Sequence, residues 1–345
     1  MTCGVVADFG VARYCSRWER QPAFDSPYRH PHVMARADTR PIDAQPRAGL
    51  ERLQGHAVAP MNREKPDRSV AIVLGCGEVG SAVALALHGA GMSVVLVDEA
   101  DPAWHRRGMA FTNAWYIGNA DLDGEGACFC ASVKSLPSVL ARRMIAATTW
   151  SWPGVAGALR PVVLVDARGR KRRGSDVLLG RVPMTFGIGP GFVEGENVDV
   201  ALALPAAPER EGGAARSALD TETAHVAPLE AGCAVEAARH GRFMTERRIG
   251  DSVRAGQIVG GLGNEVIAAP AAGVLLGLAA RGARIEPGDT LVEIDPGGVA
   301  HRCYGVAPGP RQLAAVVVAA LAARRDAGRE STFRDGAGST AATAP

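Results

Sequence analysis

Gly75-Cys76-Gly77-Glu78-Val79-Gly80 places glycine at the spacing G-x-G-x-x-G, directly after the apolar run Val70 to Leu74 and at the start of a helical pattern, Val79 to Ala90. In that context the first glycine permits a tight turn, the second lets the backbone approach a pyrophosphate, and the third lets a helix pack on a strand. The helix N-terminus adds free N–H groups and a partial positive charge. Asp98 lies 23 residues after Gly75, at the end of the next strand candidate, where its carboxylate could accept hydrogen bonds from a ribose diol. The alternatives are a loop that keeps its shape without binding a dinucleotide, and an Asp98 that is only a solvated strand end.

Gly187-Ile188-Gly189-Pro190-Gly191-Phe192 follows the strand candidate Met184 to Gly187. Glycines at 187, 189 and 191 suggest a loop whose N–H groups converge at a sheet edge, or a tight structural turn. Between the two glycine loops, the strand candidate Val162 to Val165 runs into Asp166, and Arg168, Arg170, Lys171, Arg172 and Arg173 follow. Asp166 and Lys171 could hold an anionic ligand at the same edge, or this could be a solvated basic loop. Cys128-Phe129-Cys130 invites a sulfur relay, yet residues two apart on a strand share a face and fit equally as small buried hydrophobes. Cys76 is the more plausible reactive thiol of the set, since a helix N-terminus lowers a thiol pKa, but a small residue at an x position of the motif is the favoured reading. His225, His240 and His301 lack metal-ligand spacing.

These residues need an α/β scaffold to converge. Val70 to Leu74, the helix closed by Gly91, and Ser93 to Val97 form a βαβ unit that opens a doubly wound parallel sheet. Further strands are expected at Ala114 to Ile117, Ala127 to Ala131 and Ile145 to Thr148, with a helix over Leu136 to Met144. The alternation continues to residue 204, and 205–223 has linker composition. Beyond it, Gly250 to Val259 is echoed by Gly282 to Leu291 at a shift of 32 residues, and Ala269-Pro270-Ala271-Ala272-Gly273-Val274 crosses between the copies. A short period repeated only twice suits a closed two-fold β sandwich better than a solenoid. The repeat, spanning 224–300, resembles the barrel-sandwich fold of biotinyl and lipoyl domains.

The expected class is therefore α/β: a Rossmann-like parallel sheet domain over 68–204, then a biotinyl/lipoyl-like barrel-sandwich β domain. A helix is expected over Arg311 to Arg325, within 301–325. Residues 1–67 and 326–345 read as a disordered extension and tail, with Met34 and Met61 as alternative starts to Met1. Only three of the 345 residues are lysines (Lys65, Lys134 and Lys171). None lies in the repeat, which excludes covalent biotin or lipoate on its hairpin tip.

The 38 basic and 36 acidic residues leave a net charge of +2, which gives no overall footprint for nucleic acid or an acidic membrane. No signal peptide is evident, no window reaches about 18 to 20 uninterrupted apolar residues, and the expectation is a cytoplasmic protein. The seven cysteines are scattered with no CxxC pair, so neither a disulfide framework nor a zinc knuckle is indicated.

The segments GCGEVGSAVALALHGAGMSVVLVDE, RGMAF (Arg107 to Phe111), PVVLVDARGRK (Pro161 to Lys171), VPMTFGIGPGFV (Val182 to Val193) and the repeat ending in Glu293-Ile294-Asp295-Pro296 occur in this order. In this the chain resembles the YqeB-type family, described as the selenium-dependent molybdenum hydroxylase system protein and allied to XdhC-type maturation factors. The resemblance covers about residues 69–325. It implies a role in making or loading hydroxylases such as xanthine dehydrogenase, with a hydroxylase subunit or cofactor-handling enzyme as partner. It departs after Val200, where Ala201 to Pro208 stands in place of the family's E-T-x-R-G-H-like segment. The expected function is that of a maturation factor whose glycine loops bind a nucleotide or pterin-phosphate such as the molybdenum cofactor. An NAD(P)-dependent oxidoreductase, which would need an acid–base residue not identifiable here, and a scaffold with an empty Rossmann-like pocket are the alternatives.

Overall fold

The computed structural model describes residues 69–169, 176–204 and 233–337. The N-terminal extension, the 205–223 linker, Lys171, His225 and the end of the tail lie outside the described residues.

The first half is built on eight strands. These are β1 (Val70–Leu74), β2 (Ser93–Val97), β3 (Asn119–Leu122), β4 (Glu125–Phe129), β5 (Ile145–Thr148), β6 (Val163–Asp166), β7 (Met184–Ile188) and β8 (Val200–Leu202). They form one sheet in the order β3-β4-β5-β2-β1-β6-β7-β8. All neighbours pair in parallel except the edge hairpin β3–β4. A parallel sheet is covered on both faces, and the central runs VAIVL and SVVLV are accordingly apolar on both. The chain lays strands first on the β2 side of β1 and then on the β6 side, so the sheet's switch point lies between β1 and β6.

Helices α1 (Glu78–Gly89), α2 (Asn113–Ile117), α3 (Leu136–Ala141), α4 (Trp152–Leu159) and α5 (Pro308–Ala337) complete the layers. On one face Ala82, Val83 and Leu87 of α1 pack with Val73, Leu96 and Phe186, and Ala314, Val317 and Leu321 of α5 join them. On the other, Ile72, Leu74 and Val95 pack with Leu136, Val139 and Val155.

Two expectations change here. Ala114 to Ile117 is helical rather than a strand: short apolar runs look alike in either state, and Gly118, left-handed at φ 84° with its N–H bonded to the Ala114 carbonyl, caps a helix there. The final helix runs to Ala337 rather than ending at 325, so residues 326–337 belong to it; they hold no proline to stop it. The stretch Ala300–Arg324 is also long and apolar enough to cross a membrane by length and composition. Its Ala314–Val317–Leu321 face is nonetheless committed to the core beneath α1.

The second half contains β9 (Ala234–Glu236), β10 (Gly241–Met244), β11 (Ser252–Val253), β12 (Ile258–Leu262), β13 (Glu265–Ala268), β14 (Gly273–Leu278), β15 (Arg284–Ile285) and β16 (Thr290–Asp295). Rather than the closed sandwich expected, they make two open four-stranded antiparallel sheets, β13-β12-β10-β15 and β11-β14-β16-β9, because the two sheets share no strand pairing among the described residues. Adding or subtracting 32 residues turns one sheet into the other, strand for strand. Phe243↔Leu262 becomes Leu275↔Ile294, Gly241↔Ile285 becomes Val253↔Gly273, and Ile258↔Ala268 becomes Thr290↔Glu236. Even the irregularity between Ile258 and Gly260 recurs between Thr290 and Val292. The sequence repeat is thus a structural two-fold, with Phe243, Leu262, Leu275 and Ile294 in one shared core.

Phe243 and Leu275 are equivalent and fully buried. Phe243→Ala is expected to cost about 3–5 kcal/mol and Leu275→Ala about 2–5 kcal/mol in urea unfolding. A loss below about 1 kcal/mol at either would show that the repeat positions do not share one packing role.

Candidate functional site

β1 delivers the chain to Gly75 at φ 102°, a left-handed turn that favours glycine, and its N–H bonds to the Val97 carbonyl of β2 at 2.9 Å. A Cβ on Gly75 would sit 3.1 Å from the Ala167 backbone, and one on Gly80 would fall on the Gly75 carbonyl oxygen. The first and third glycines therefore serve the turn and the close approach of α1. Gly77 is the N-cap of α1, with no side-chain cap. A Cβ there would be 3.0 Å from the indole of Trp104, which lies across the helix N-terminus. Trp104 Nε1 is buried and has no acceptor among the described residues.

Asp98 faces this loop, and the loop's own backbone occupies it. One carboxylate oxygen accepts the Cys76 N–H at 2.7 Å, and the other accepts the Glu99 N–H at 2.8 Å. Burial pushes its pKa up against these bonds. The Cys76 carbonyl accepts from Ser81 and Thr112, both at 2.9 Å, and the Ser81 hydroxyl accepts from the Phe111 N–H at 2.8 Å. Of the two readings of Cys76, the structure favours a small buried residue over a reactive thiol. Its side chain is fully buried, and desolvation, then the Asp98 charge, hold the thiol well above its usual pKa. Cys128 and Cys130 lie among the hydrophobics on one face of the sheet, as their spacing suggested.

The other site candidates reach the same sheet edge in part. Asp166 ends β6 beside the Gly75 turn and is clamped by Arg168, which donates from Nε at 2.9 Å, from Nη2, and from its backbone N–H at 3.1 Å. Arg168 also reaches Asp176 at 2.8 Å. Gly187 lies within β7, and the Phe192 ring fills the space its side chain would take. Gly189, at φ 114°, donates its N–H to the Leu202 carbonyl, and its Cβ position is 3.7 Å from Gly169. Gly191 is left-handed at φ 88°, and its carbonyl accepts from Asn197 at 2.9 Å. Gly75, Ala167 to Gly169 and Gly189 thus line one edge across β1, β6 and β7. The N–H groups of Gly187 to Gly191 do not converge on a common point, because Gly187 pairs within the sheet and Gly189 bonds to Leu202.

A charged cluster that the motifs did not single out ties this edge to the second half. Arg106 donates to both oxygens of Glu293 on β16, at 2.6 Å each, and its third nitrogen is 3.6 Å from Glu78 at the start of α1. His105 Nε2 is 2.8 Å from Glu293, and its ring fills the space beside Gly277. Glu78 and Glu293 are only 8% and 7% exposed. Burial raises the Glu78 carboxyl. Burial also pushes Glu293 upward, but the hydrogen bonds from Arg106 and His105 outweigh it and hold the group at about 2. The signal in the sequence was the run Trp104-His105-Arg106-Arg107, whose partners lie far along the chain.

Chemically, the edge offers a helix N-terminus, an indole plane and an orphan indole donor. Its cations, Arg106 and Arg168, are each shared by two carboxylates. This suits a weakly charged, hydrogen-bonded anionic group beside a flat ring better than a site of strong positive charge. An Asp98 with both oxygens engaged suits the ribose-diol role less well.

Arg106→Met would leave two buried carboxylates without their cation and is expected to cost about 3–5 kcal/mol in urea unfolding. A cost below about 1 kcal/mol would mean that the cluster does not hold the halves together. Because Glu293 is held at about 2, below its ordinary 4.5, its contribution is present above 4.5 and is lost as pH falls toward 2. Glu78 and Asp98, both raised, act with the opposite sign, since protonation relieves their burial. The difference in thermal midpoint between the parent and Glu293→Gln should therefore shrink on acidification through this window. A constant difference from pH 7 to 2 would refute the assignment.

No protein-family model matches the chain. Over 261 residues, 72% of this chain, it is 23% identical to the uncharacterized protein YqeB of Escherichia coli (strain K12). The match covers 47% of YqeB, so the chain spans about half the length of the curated relative it matches. The product-bound structure of the ectoine utilization protein EutE (DoeB) from Ruegeria pomeroyi shares 14% identity over 66% of this chain and 52% of that one, at a TM-score of 0.17, too low to carry an argument. The chain is thus similar to YqeB over 72% of its length.

Proposed function

We propose that the chain is an accessory factor in the maturation of molybdenum hydroxylases of the xanthine dehydrogenase type, within the selenium-dependent hydroxylase system that its motifs resemble. It acts in the cytoplasm, binds a pterin-phosphate such as the molybdenum cofactor at the N-terminus of α1, and presents it to a hydroxylase subunit or cofactor-handling enzyme. The observation that carries this reading is Trp104. Its indole lies over the uncapped helix start at Gly77 with a buried, unpartnered Nε1–H. A flat heterocycle bearing a phosphate would stack on the indole, place its anion against the first-turn N–H groups, and offer the orphan donor an acceptor. When bound, the cofactor supplies the metal-binding dithiolene of the hydroxylase, and this chain's residues only bind and orient it. In this reading the two-sheet half is a non-carrier relative of the biotinyl/lipoyl-like barrel sandwich, without a lysine between Ile249 and Pro296 to take biotin or lipoate.

The engagement of both Asp98 oxygens by backbone N–H groups weighs against the NAD(P)-dependent oxidoreductase. Trp104 could instead be a plug, which is the specific observation in favour of an empty-pocket scaffold. Titrating the purified protein with released molybdenum cofactor, NADH and NADPH, followed by tryptophan fluorescence, separates the three. Saturable binding of the cofactor is expected, weakened about tenfold, as read by equilibrium dialysis, in Trp104→Phe, which keeps an aromatic face and removes the donor. NADH binding with substrate-dependent turnover would sink the maturation reading, and no binding of any ligand would leave the scaffold. In cells, deletion should leave a hydroxylase that is expressed but inactive and deficient in molybdenum or its terminal sulfur. Normal specific activity and metal content would refute the role.

A further inference from the structure

The two-fold of the second half makes an internal comparison possible. In the sheet β11-β14-β16-β9, the row Gly277–Glu293–Ala234 crosses the outer face, and the first half of the chain covers it with His105 and Arg106. In the sheet β13-β12-β10-β15, Gly261 and Val266 are the equivalents of Glu293 and Ala234; the irregularity between Leu275 and Gly277 has no counterpart in the β10–β12 pairing, so Met244, one position before the equivalent of Gly277, completes the row Met244–Gly261–Val266. Here Met244 is 47% and Val266 64% exposed. Ile258, 61% exposed, pairs with Ala268 on the same face beyond them. At the other end Arg242, two residues before Met244 and so on the same face, pairs directly with Arg284, and both are exposed. Like charges directly opposite one another on a sheet destabilise it.

We infer that this outer face is a protein-docking surface, and that its occupant is a segment of a partner protein presenting carboxylates to Arg242 and Arg284 and an apolar side chain to the Met244–Gly261–Val266 row. The covered sister row shows what this position on the sheet receives: a projecting segment whose charge is opposite to that of the row. There the row supplies Glu293 and the segment supplies Arg106 and His105. On the open face a glycine stands in place of Glu293, and the cationic pair Arg242 and Arg284 stands in place of Val274 and Ser252. Gly261, lacking a side chain, lets an apolar group of the partner lie flat between Met244 and Val266. A nucleic-acid strand would be drawn by the arginines but would gain little from three aliphatic side chains. Calling the partner a hydroxylase subunit or cofactor-handling enzyme rests on the function proposed above, whereas the chemistry of the face does not.

The test is photo-crosslinking in cells, using the full chain with benzoylphenylalanine in place of Val266 and, as control, of Val316 on α5. The expected result is a dominant crosslink from position 266 to one protein, at a peptide that carries carboxylates beside apolar residues. Its yield should fall about fivefold or more in the Arg242→Glu/Arg284→Glu variant, whose unchanged thermal midpoint shows that it folds. An acidic partner that is neither a hydroxylase subunit nor a cofactor-handling enzyme would uphold the docking surface and count against the maturation role. The inference is overturned by crosslinks only within this chain, to a second copy of it or to nucleic acid, by a yield no higher than at position 316, or by a yield that survives the charge reversal.

Discussion

One guanidinium joins the two halves of this protein. Arg106 leaves the segment after β2, bonds both oxygens of Glu293 on β16, and keeps its remaining nitrogen toward Glu78 at the first turn of α1. Desolvating such groups costs about as much as their attraction returns, so the cluster adds little net stability, while the loss of one partner strands buried charge. It fixes one arrangement, because any other would leave buried charge unmatched. The fit at Gly277 against His105 and the Arg107 bond to the Leu278 carbonyl reinforce the same orientation. Whatever approaches the start of α1 therefore meets an edge whose geometry is set partly from the β half.

The glycine-rich edge follows the same logic. A G-x-G-x-x-G loop is usually read as space kept for a ligand, but here most of that space goes to the protein's own groups. Gly80 yields to the Gly75 carbonyl, Gly77 to Trp104 and Gly187 to Phe192, while Asp98 takes the Cys76 N–H that a phosphate oxygen could otherwise accept. What is left is the helix start itself and the indole donor beside it. That narrows the ligand to one that stacks and accepts hydrogen bonds, and away from one that must be neutralised.

Local physics made part of this legible in the sequence. The unbroken apolar runs of β1 and β2, the glycine spacing and the 32-residue echo each belong to a short stretch of chain, and each reappears in the structure. The strand pair β3–β4 was also written locally, in Asp123-Gly124, whose left-handed backbones make the hairpin turn, but the short polar strand Asn119–Leu122 gave no apolar period to flag it. Ala114 to Ile117 is too short for its period to separate strand from helix, and only Gly118 tells them apart. The Arg106–Glu293 contact spans 187 residues, and no periodicity encodes a partner at that distance. The same holds for Asp98: its position at a strand end was readable, but not that it would turn inward to the loop.

The interleaving of the two small sheets has a consequence for how the chain folds. Each sheet takes two strands from residues 234–262 and two from 265–295, so neither copy of the repeat can complete a sheet alone. The copies are mutual templates, and each sheet of the β half is completed through contacts distant in sequence, a slow route by contact order. A nascent chain that has emerged only as far as β12 therefore holds four strands with no finished sheet to join. Two molecules caught at that stage could satisfy each other's strands, which makes exchange of half-modules the characteristic misassembly of this architecture.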